Sequence, residues 1–180
     1  MNFRRKIIKL KDVPDRLKEA RKEGKKIGFV EGVFDVLHLG HVELVEFAKK
    51  YCDILVVGVA SDAYVRSTKG KDRPIFSQSI RCQTLAALRD TDFILKEDNP
   101  PAVLEDKKSE SYLHKVTKIL KPNVIISSGT TDRNPNAKRA RAKEIGAKFI
   151  IQKDPRPSKN SSTTQILALL NGAGNNHKPV

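Results

Sequence analysis

His38 and His41 stand three residues apart around Gly40 in the stretch Phe34–His41, FDVLHLGH, of a chain that has only four histidines in all. Imidazoles can ligate metals, move protons or donate hydrogen bonds to anions. A protein-held metal asks for a third ligand, and neither His114 nor Cys52 nor Cys82 stands at a spacing that supplies one. No Ser/His/Asp set or paired-carboxylate arrangement is visible beside the pair. The following residues, His41–Tyr51, carry Val42, Val45 and Ala48 on one helical face. A helix starting near Gly40 or His41 would put His38 in the preceding turn and His41 in the first turn. Both rings could then face a point beside the helix N-terminus, where unpaired N–H groups and the helix dipole favour phosphate. Gly40, lacking a side chain, would let the phosphate approach. This reading makes the pair a triphosphate grip; a pair that only caps and packs the helix is the alternative.

The elements that must position such a site alternate along the chain. A leading helix over Val13–Gly24 precedes a short buried strand at Ile27–Gly32, and the histidine segment follows that strand directly. Asp53–Ala60 is nearly continuously apolar, as expected of a strand covered on both faces. Further helices are expected around Ser79–Asp90, from Ser111, near Asn136 and at Ser162–Leu170, with strands from Asp92, Asn123 and Ala147. Such alternation predicts an α/β fold: a Rossmann-like, doubly wound parallel sheet of about five strands with helices on both faces. In that architecture ligands bind outside the carboxyl ends of the strands. Ser67–Gln78, Lys96–Ser111 and Lys153–Ser162 are rich in Pro, Lys, Ser or Asp and read as loops. The first and third follow strands and should open at the same edge as the histidines. One domain over residues 1–171, with residues 1–25 as a leading helical segment and 172–180 as a disordered tail, is the expected organisation.

Composition narrows the function classes. Apolar residues make up 38% of the chain, which fits a folded domain, and no apolar run approaches the roughly 20 residues needed to span a bilayer. The start, MNFRRKIIKLKD, lacks the apolar core of a signal peptide, so a cytoplasmic location is expected and no membrane partner. Cys52 and Cys82 read as ordinary buried thiols. The formal net charge of +14 invites a nucleic-acid reading, but there is no Trp, and the basic residues are mixed with acidic ones rather than interleaved with aromatics. A solvated lysine-rich surface, with a small anionic ligand such as a nucleotide, fits better. GxxxxGK[ST] and GxGxxG are both missing, which argues against a P-loop ATPase and a dinucleotide-dependent dehydrogenase.

GVFDVLHLGH resembles the signature of the cytidylyltransferase-like nucleotidyltransferases, a Gly-x-Phe-Asp segment followed by His-x-Gly-His. TKGKDRPIFSQSIR resembles that family's Lys-Gly, Arg-Pro and downstream Arg elements, and SSTTQIL resembles its closing Ser-Thr-Thr-x-Ile segment. The likeness runs from about Lys25 to Leu170 in the family order. Within the family the chain is most similar to the adenylyltransferase domains that make ADP-heptose, sharing the lead-in EGKKI, and next to glycerol-3-phosphate cytidylyltransferases. Where the heptose group shows Lys-Gly-Gly-Asp-Tyr after its fourth strand, this chain reads SSGTTDRN from Ser127.

The resemblance implies an enzyme of nucleotidyl transfer: a phosphate monoester oxygen attacks the α-phosphorus of an NTP, ATP favoured over CTP, and pyrophosphate leaves. The acceptor would be a sugar or polyol phosphate of the heptose 1-phosphate kind. Flavin or pantetheine phosphate would be acceptors in related enzymes, and a basic nucleotide- or nucleic-acid-binding module is the non-enzyme alternative. An acceptor phosphate is already anionic near neutral pH, so catalysis can be positioning plus charge stabilisation. The resemblance also implies roles. His38, His41 and Lys69 would be catalytic, Lys69 bridging acceptor and α-phosphates unless it is simply solvated. Gly32, Val33, Phe34, Gly40, Arg81, Gly129, Asp132, Ser162 and Thr163 would bind the nucleotide. Arg81 could equally make a structural ion pair, and Ser162 and Thr163 could be a plain helix cap. Asp35, Asp62 and Arg156 are weaker acceptor or phosphate contacts, Asp35 reading first as a residue that holds its loop together. Mg²⁺ is expected to arrive on the triphosphate rather than on protein ligands, and a homodimer is expected from the family likeness.

Overall fold

The computed structural model describes residues 2–99, 108–129, 135–153, 163–164 and 166–167. Six strands form a single parallel sheet: β1 (Ile7–Ile8), β2 (Ile27–Gly32), β3 (Ile54–Val59), β4 (Phe93–Lys96), β5 (Val124–Ser128) and β6 (Lys148–Gln152), in the order β1-β4-β3-β2-β5-β6. The helices are α1 (Val13–Arg16), α2 (Lys18–Lys22), α3 (Leu39–Lys49), α4 (Asp62–Lys69), α5 (Gln78–Ala86), α6 (Lys108–Leu120) and α7 (Pro135–Glu144). Thr163, Thr164, Ile166 and Leu167 are helical too, in the segment expected to form the last helix.

Period-two alternation along the strands sends side chains to both faces, and helices cover each. Val30, Val57, Ile94 and Ile126 pack with Leu44 and Val45 of α3 and Leu85 of α5. On the other face Phe29, Val56 and Leu95 pack with Val13, Leu17, Val116 and Leu120. Because β2, β3 and β5 are covered on both sides, their sequences are nearly unbroken apolar runs. The chain enters the sheet centre at β2, steps to β3 and β4 on one side, then returns to β5 and β6 on the other. The order therefore reverses between β2 and β5, which pair through Gly28↔Val124, Phe29↔Ile125 and Val30↔Ile126. Their carboxyl ends flank the crevice where a doubly wound sheet takes its ligand.

Three features depart from the sequence reading. The sheet has a sixth strand, β1, whose two residues are too few to show a period and which is held by pairing Ile7↔Ile94 and Ile8↔Leu95. The leading helix is two short helices broken at Leu17, whose φ of −103° and ψ of 1° leave the helical region. Asp62–Lys69, partly assigned to the Ser67–Gln78 loop, is a helix capped by Ser61, whose Oγ accepts from the Tyr64 N–H. Residues 100–107 and 154–162 of the two other expected loops, and the 172–180 tail, lie outside the described residues.

Candidate active site

α3 begins at Leu39, with His38 as its N-cap and His41 in its first turn. The N-cap side chain makes no capping bond, so the leading N–H groups of α3, which have no partner inside a helix, keep no side-chain cap. The two imidazoles stack, ring centroids 3.7 Å apart with planes 22° from parallel, and Phe34 lies 5.2 Å from the His41 ring at a tilt. Among the described residues, Nδ1 of each ring is buried without a hydrogen-bond partner.

Burial lowers the pKa of both rings. For His41 the value falls to about 3, through burial first, then His38 and Lys69, with Asp35 opposing. Both rings are therefore neutral near pH 7, each with one N–H to donate. The influence of Lys69 on His41 places the lysine ammonium within electrostatic range of the pair. Lys69 is exposed and is the last residue of α4, not part of a loop, with Gly70 capping the helix at φ 101°.

Asp35 gathers the site. It is only 1% exposed. Its Oδ2 accepts from Arg73 Nε at 2.9 Å and from the Ile75 N–H at 2.9 Å, and its Oδ1 accepts from the Phe76 N–H at 3.0 Å. Arg73 Nη2 completes the ion pair at 2.8 Å. The Asp35 carbonyl accepts from the Thr163 hydroxyl. Three segments far apart in sequence, FDVLHLGH, the Arg73–Phe76 loop and the Thr163 helical turn, thus meet at one residue.

Arg81 makes a second knot. Its guanidinium, 1% exposed, donates to the carbonyls of Phe76 (3.0 Å), Val33 and Ala60 (2.8 Å) and to Asp62 Oδ1 (2.7 Å). Asp62 also accepts from the Gln78 N–H at 2.8 Å. Of the two roles expected for Arg81, the structural ion pair is present: Arg81 and Asp62 hold each other and the carboxyl ends of β2 and β3. Gln78, not singled out in the sequence, ties the same region, its Nε2 donating to the Val59 and Glu97 carbonyls at 2.8 and 2.6 Å.

Gly32, Val33 and Phe34 leave the carboxyl end of β2, with Phe34 buried under α3. Gly40 sits in the first turn of α3. Gly129 follows β5, its N–H bonded to the Gln152 carbonyl at 3.1 Å, and a β-carbon there would come within 2.6 Å of that carbonyl oxygen. The glycine is thus explained by close backbone approach. Asp132, Arg156 and Ser162 lie outside the described residues. Among the described residues no group of three or more His, Cys, Asp or Glu is placed to hold a metal, and Asp35 is already committed to Arg73 and two N–H groups. Both cysteine thiols are pushed up to about 11, chiefly by burial. Arg73, which pairs with Asp35 at the candidate site, is not singled out in the sequence, although it stands in the Arg-Pro element of TKGKDRPIFSQSIR.

The profile of a family described as Cytidylyltransferase-like matches residues 29–168, a span that takes in the histidine pair, the Asp35 and Arg81 knots and Thr163. The chain belongs to the cytidylyltransferase-like family. Among curated relatives, the bifunctional protein HldE of a Nitratiruptor species is 40% identical over 114 residues, covering 62% of this chain and 22% of the relative. HldE of Rhodopseudomonas palustris (strain BisB18) is 34% identical over 163 residues, covering 89% and 30%. The chain thus spans between about a fifth and a third of the length of these curated relatives. A lipopolysaccharide core biosynthesis protein from Thermoplasma volcanium superposes with a TM-score of 0.56 at 25% identity, covering 71% of this chain and 96% of that one. The pantoate-beta-alanine ligase of Francisella tularensis shares the fold at 20% identity, with a TM-score of 0.60 and coverage of 92% and 76%.

Proposed function

We propose that this member of the cytidylyltransferase-like family transfers AMP from ATP to a sugar phosphate of the heptose 1-phosphate type. The observation that carries this reading is the convergence at Asp35: the histidine loop, the Arg73–Phe76 loop and Thr163 are tied at the β2 end, beside two neutral histidines at a helix N-terminus. Such a site offers donors to a triphosphate, and an acceptor that is already anionic needs no general base from it. An acceptor phosphate oxygen forms a bond to the α-phosphorus while the bond from that phosphorus to the bridging oxygen breaks, and its electron pair leaves with pyrophosphate. The His38 and His41 N–H groups hydrogen-bond the phosphate oxygens as charge grows on them, and Lys69 approaches from the end of α4 to neutralise the phosphates. Mg²⁺ would be carried by the triphosphate, where it supplies charge neutralisation, since the Asp35 carboxylate of the loop is occupied. Likeness to HldE supports ATP and the heptose phosphate.

The same reading carries a homodimer, checked by light scattering, and a cytoplasmic enzyme; among the described residues no helix is long and apolar enough to cross a membrane. The test of the reaction is pyrophosphate release from MgATP and MgCTP with heptose 1-phosphate, glycerol 3-phosphate and mannose 1-phosphate. Release that requires ATP and heptose 1-phosphate and collapses in His41→Ala is the expected result. Nucleotide binding with no release for any pair would overturn the transfer.

A further inference from the structure

On the sheet face opposite the histidines lies a second polar cluster that the reaction above does not use. Glu31 is the residue before Gly32, where β2 opens into the histidine loop, and alternation along β2 places it on the face that carries Phe29. Its Oε1 pairs with Arg141 Nη2 at 2.6 Å and Lys138 Nζ at 3.6 Å, both from α7, and its side chain is 10% exposed. Glu97 follows β4, is 1% exposed, and presses on the neighbouring strand so closely that a β-carbon at Gly58 would collide with its Oε1. Gly58 is the register partner of Glu31, so the two carboxyl groups flank one position of the sheet. Among the described residues, each keeps one buried oxygen with no hydrogen-bond partner, Oε2 of Glu31 and Oε1 of Glu97.

We propose that Glu31 and Glu97 form a subsite that binds a hydroxyl group of the acceptor, on the face of β2 opposite the histidine pair. This inference rests on the transfer reading for the identity of its ligand. A cation is not what the cluster lacks, because Lys138 and Arg141 already outnumber the ionised carboxylate. Burial, followed by the charge of Glu31, raises the Glu97 pKa to about 8, with Lys138 and Arg141 opposing, so Glu97 is a neutral acid at pH 7. The pair then presents one O–H and one carboxylate oxygen. A hydroxyl group both donates and accepts, so it can give its proton to Glu31 Oε2 and accept from the Glu97 acid. An ammonium only donates, and a phosphate monoester dianion only accepts. A phosphorylated sugar lying across the end of β2 would then have its phosphate toward the histidines and its hydroxyls toward Glu31.

The test is calorimetric binding of heptose 1-phosphate, and separately of a non-hydrolysable ATP analogue, to the full chain and to Glu31→Gln, Glu97→Leu and Glu97→Gln, with thermal melts of each. We expect Glu97→Leu and Glu31→Gln to weaken sugar-phosphate binding by about tenfold or more, as for one lost bond to a buried polar group. The ATP analogue should bind all four proteins alike. Glu97→Gln, which keeps a neutral donor, should bind sugar phosphate nearly as the wild type does. Unchanged sugar-phosphate binding in Glu97→Leu and Glu31→Gln would overturn the subsite and leave the two oxygens serving each other through a shared proton. Equal loss of both ligands would overturn it in favour of a scaffold role, as would a wild type that binds no sugar phosphate. Wild-type protein that binds the sugar phosphate through these glutamates yet releases no pyrophosphate would overturn the transfer reading alone.

Discussion

Replacing Arg81 by Leu should damage the fold before it damages the chemistry. The guanidinium joins the loop after β2 at Val33, the end of β3 at Ala60, the loop before α5 at Phe76 and the Asp62 carboxylate. Removing it leaves three carbonyls without this donor and the Asp62 carboxylate without its counter-charge, with only the Gln78 N–H still bonded to it. Unmaking one partner of a buried ion pair costs about 3–5 kcal/mol, and each further orphaned buried group about 1–3 kcal/mol. Asp62 is partly exposed, with 29% of its side chain accessible, and keeps the Gln78 N–H, so its part falls to about 1 kcal/mol; with the three carbonyls at the low end of their range, about 1 kcal/mol each, the expected loss is about 4 kcal/mol. For a chain of this size that corresponds to a melting temperature lower by about 10–15 °C. The assay is thermal and urea denaturation of wild type, Arg81→Leu, Asp62→Asn and the double variant, with ATP-analogue affinity measured well below the melt. We expect the double variant to lose less than the sum of the singles, because the two side chains share one interaction. A melting temperature within about 1 °C of wild type, combined with a large loss of nucleotide affinity, would refute the scaffold assignment and return Arg81 to the ligand; a shift that small is well under 1 kcal/mol.

His41→Ala should lower turnover about a hundredfold, the effect of losing one oriented donor worth about 3 kcal/mol in the transition state, while leaving the melting temperature near wild type; steady-state pyrophosphate release checks it. Stability should depend on pH through two groups of opposite sign. His41 has a native pKa of about 3 against an ordinary 6.5, so the unfolded chain takes up the extra proton and stability falls as pH drops from 6.5 toward 3, by about 1.4 kcal/mol per unit. Glu97 has a native pKa of about 8 against 4.5, so the native state holds the extra proton and stability falls at a similar slope as pH rises from 4.5 to 8. Urea titrations at several pH values should show Glu97→Gln flattening the alkaline limb and His41→Ala the acidic one; limbs that persist in the variants would refute the assignments. Gly129→Ala should destabilise by about 1–3 kcal/mol, since its methyl would press on the Gln152 carbonyl, and denaturant midpoints measure it.

The sequence exposed the parts of this protein that are periodic or contiguous. Continuous apolar runs at Ile27–Gly32 and Asp53–Ala60 read as strands covered on both faces, and the histidine segment directly after the first run fixed the edge where the site lies. Ile7–Ile8 was beyond reach because two residues have no period, and its strand exists only through β4. α4 was within reach: Ser61 followed by Asp62 is a helix-start signal, masked by the lysines and glycine that follow. Arg81 was visible by position, but its burial depends on four partners that reach back as far as Val33, 48 positions away, and no spacing encodes that. Glu31 and Glu97 are 66 positions apart and come together only through the register that sets Glu31 beside Gly58. Glu31 reads as one residue of the first strand, and nothing in that strand's sequence names the carboxyl group it meets.

The geometry of the histidine loop explains why so many buried bonds surround a site whose proposed chemistry needs no proton relay. Phe34 and Val36 both lie in the left-handed region, at φ 53° and 51°, a conformation that bulky and β-branched residues rarely adopt and that costs on the order of 1–3 kcal/mol each. Asp35 stands between them and accepts three hydrogen bonds through its carboxylate and one through its carbonyl; Arg81 clamps Val33 just before. These bonds, at about 1 kcal/mol net each and somewhat more where charge is involved, are of the size needed to offset the strain. The strained turn redirects the chain between the end of β2 and the start of α3, so that the ring of Phe34 is buried under α3 while His38 and His41 stack at its start. A loop relaxed to ordinary dihedrals would carry the same side chains elsewhere. Loss of the Asp35 carboxylate, as in Asp35→Ala, should therefore reduce nucleotide affinity and catalysis together without any contact to the reacting atoms. An Asp35→Ala protein that binds and turns over as the wild type does would show that the loop holds its shape without the knot.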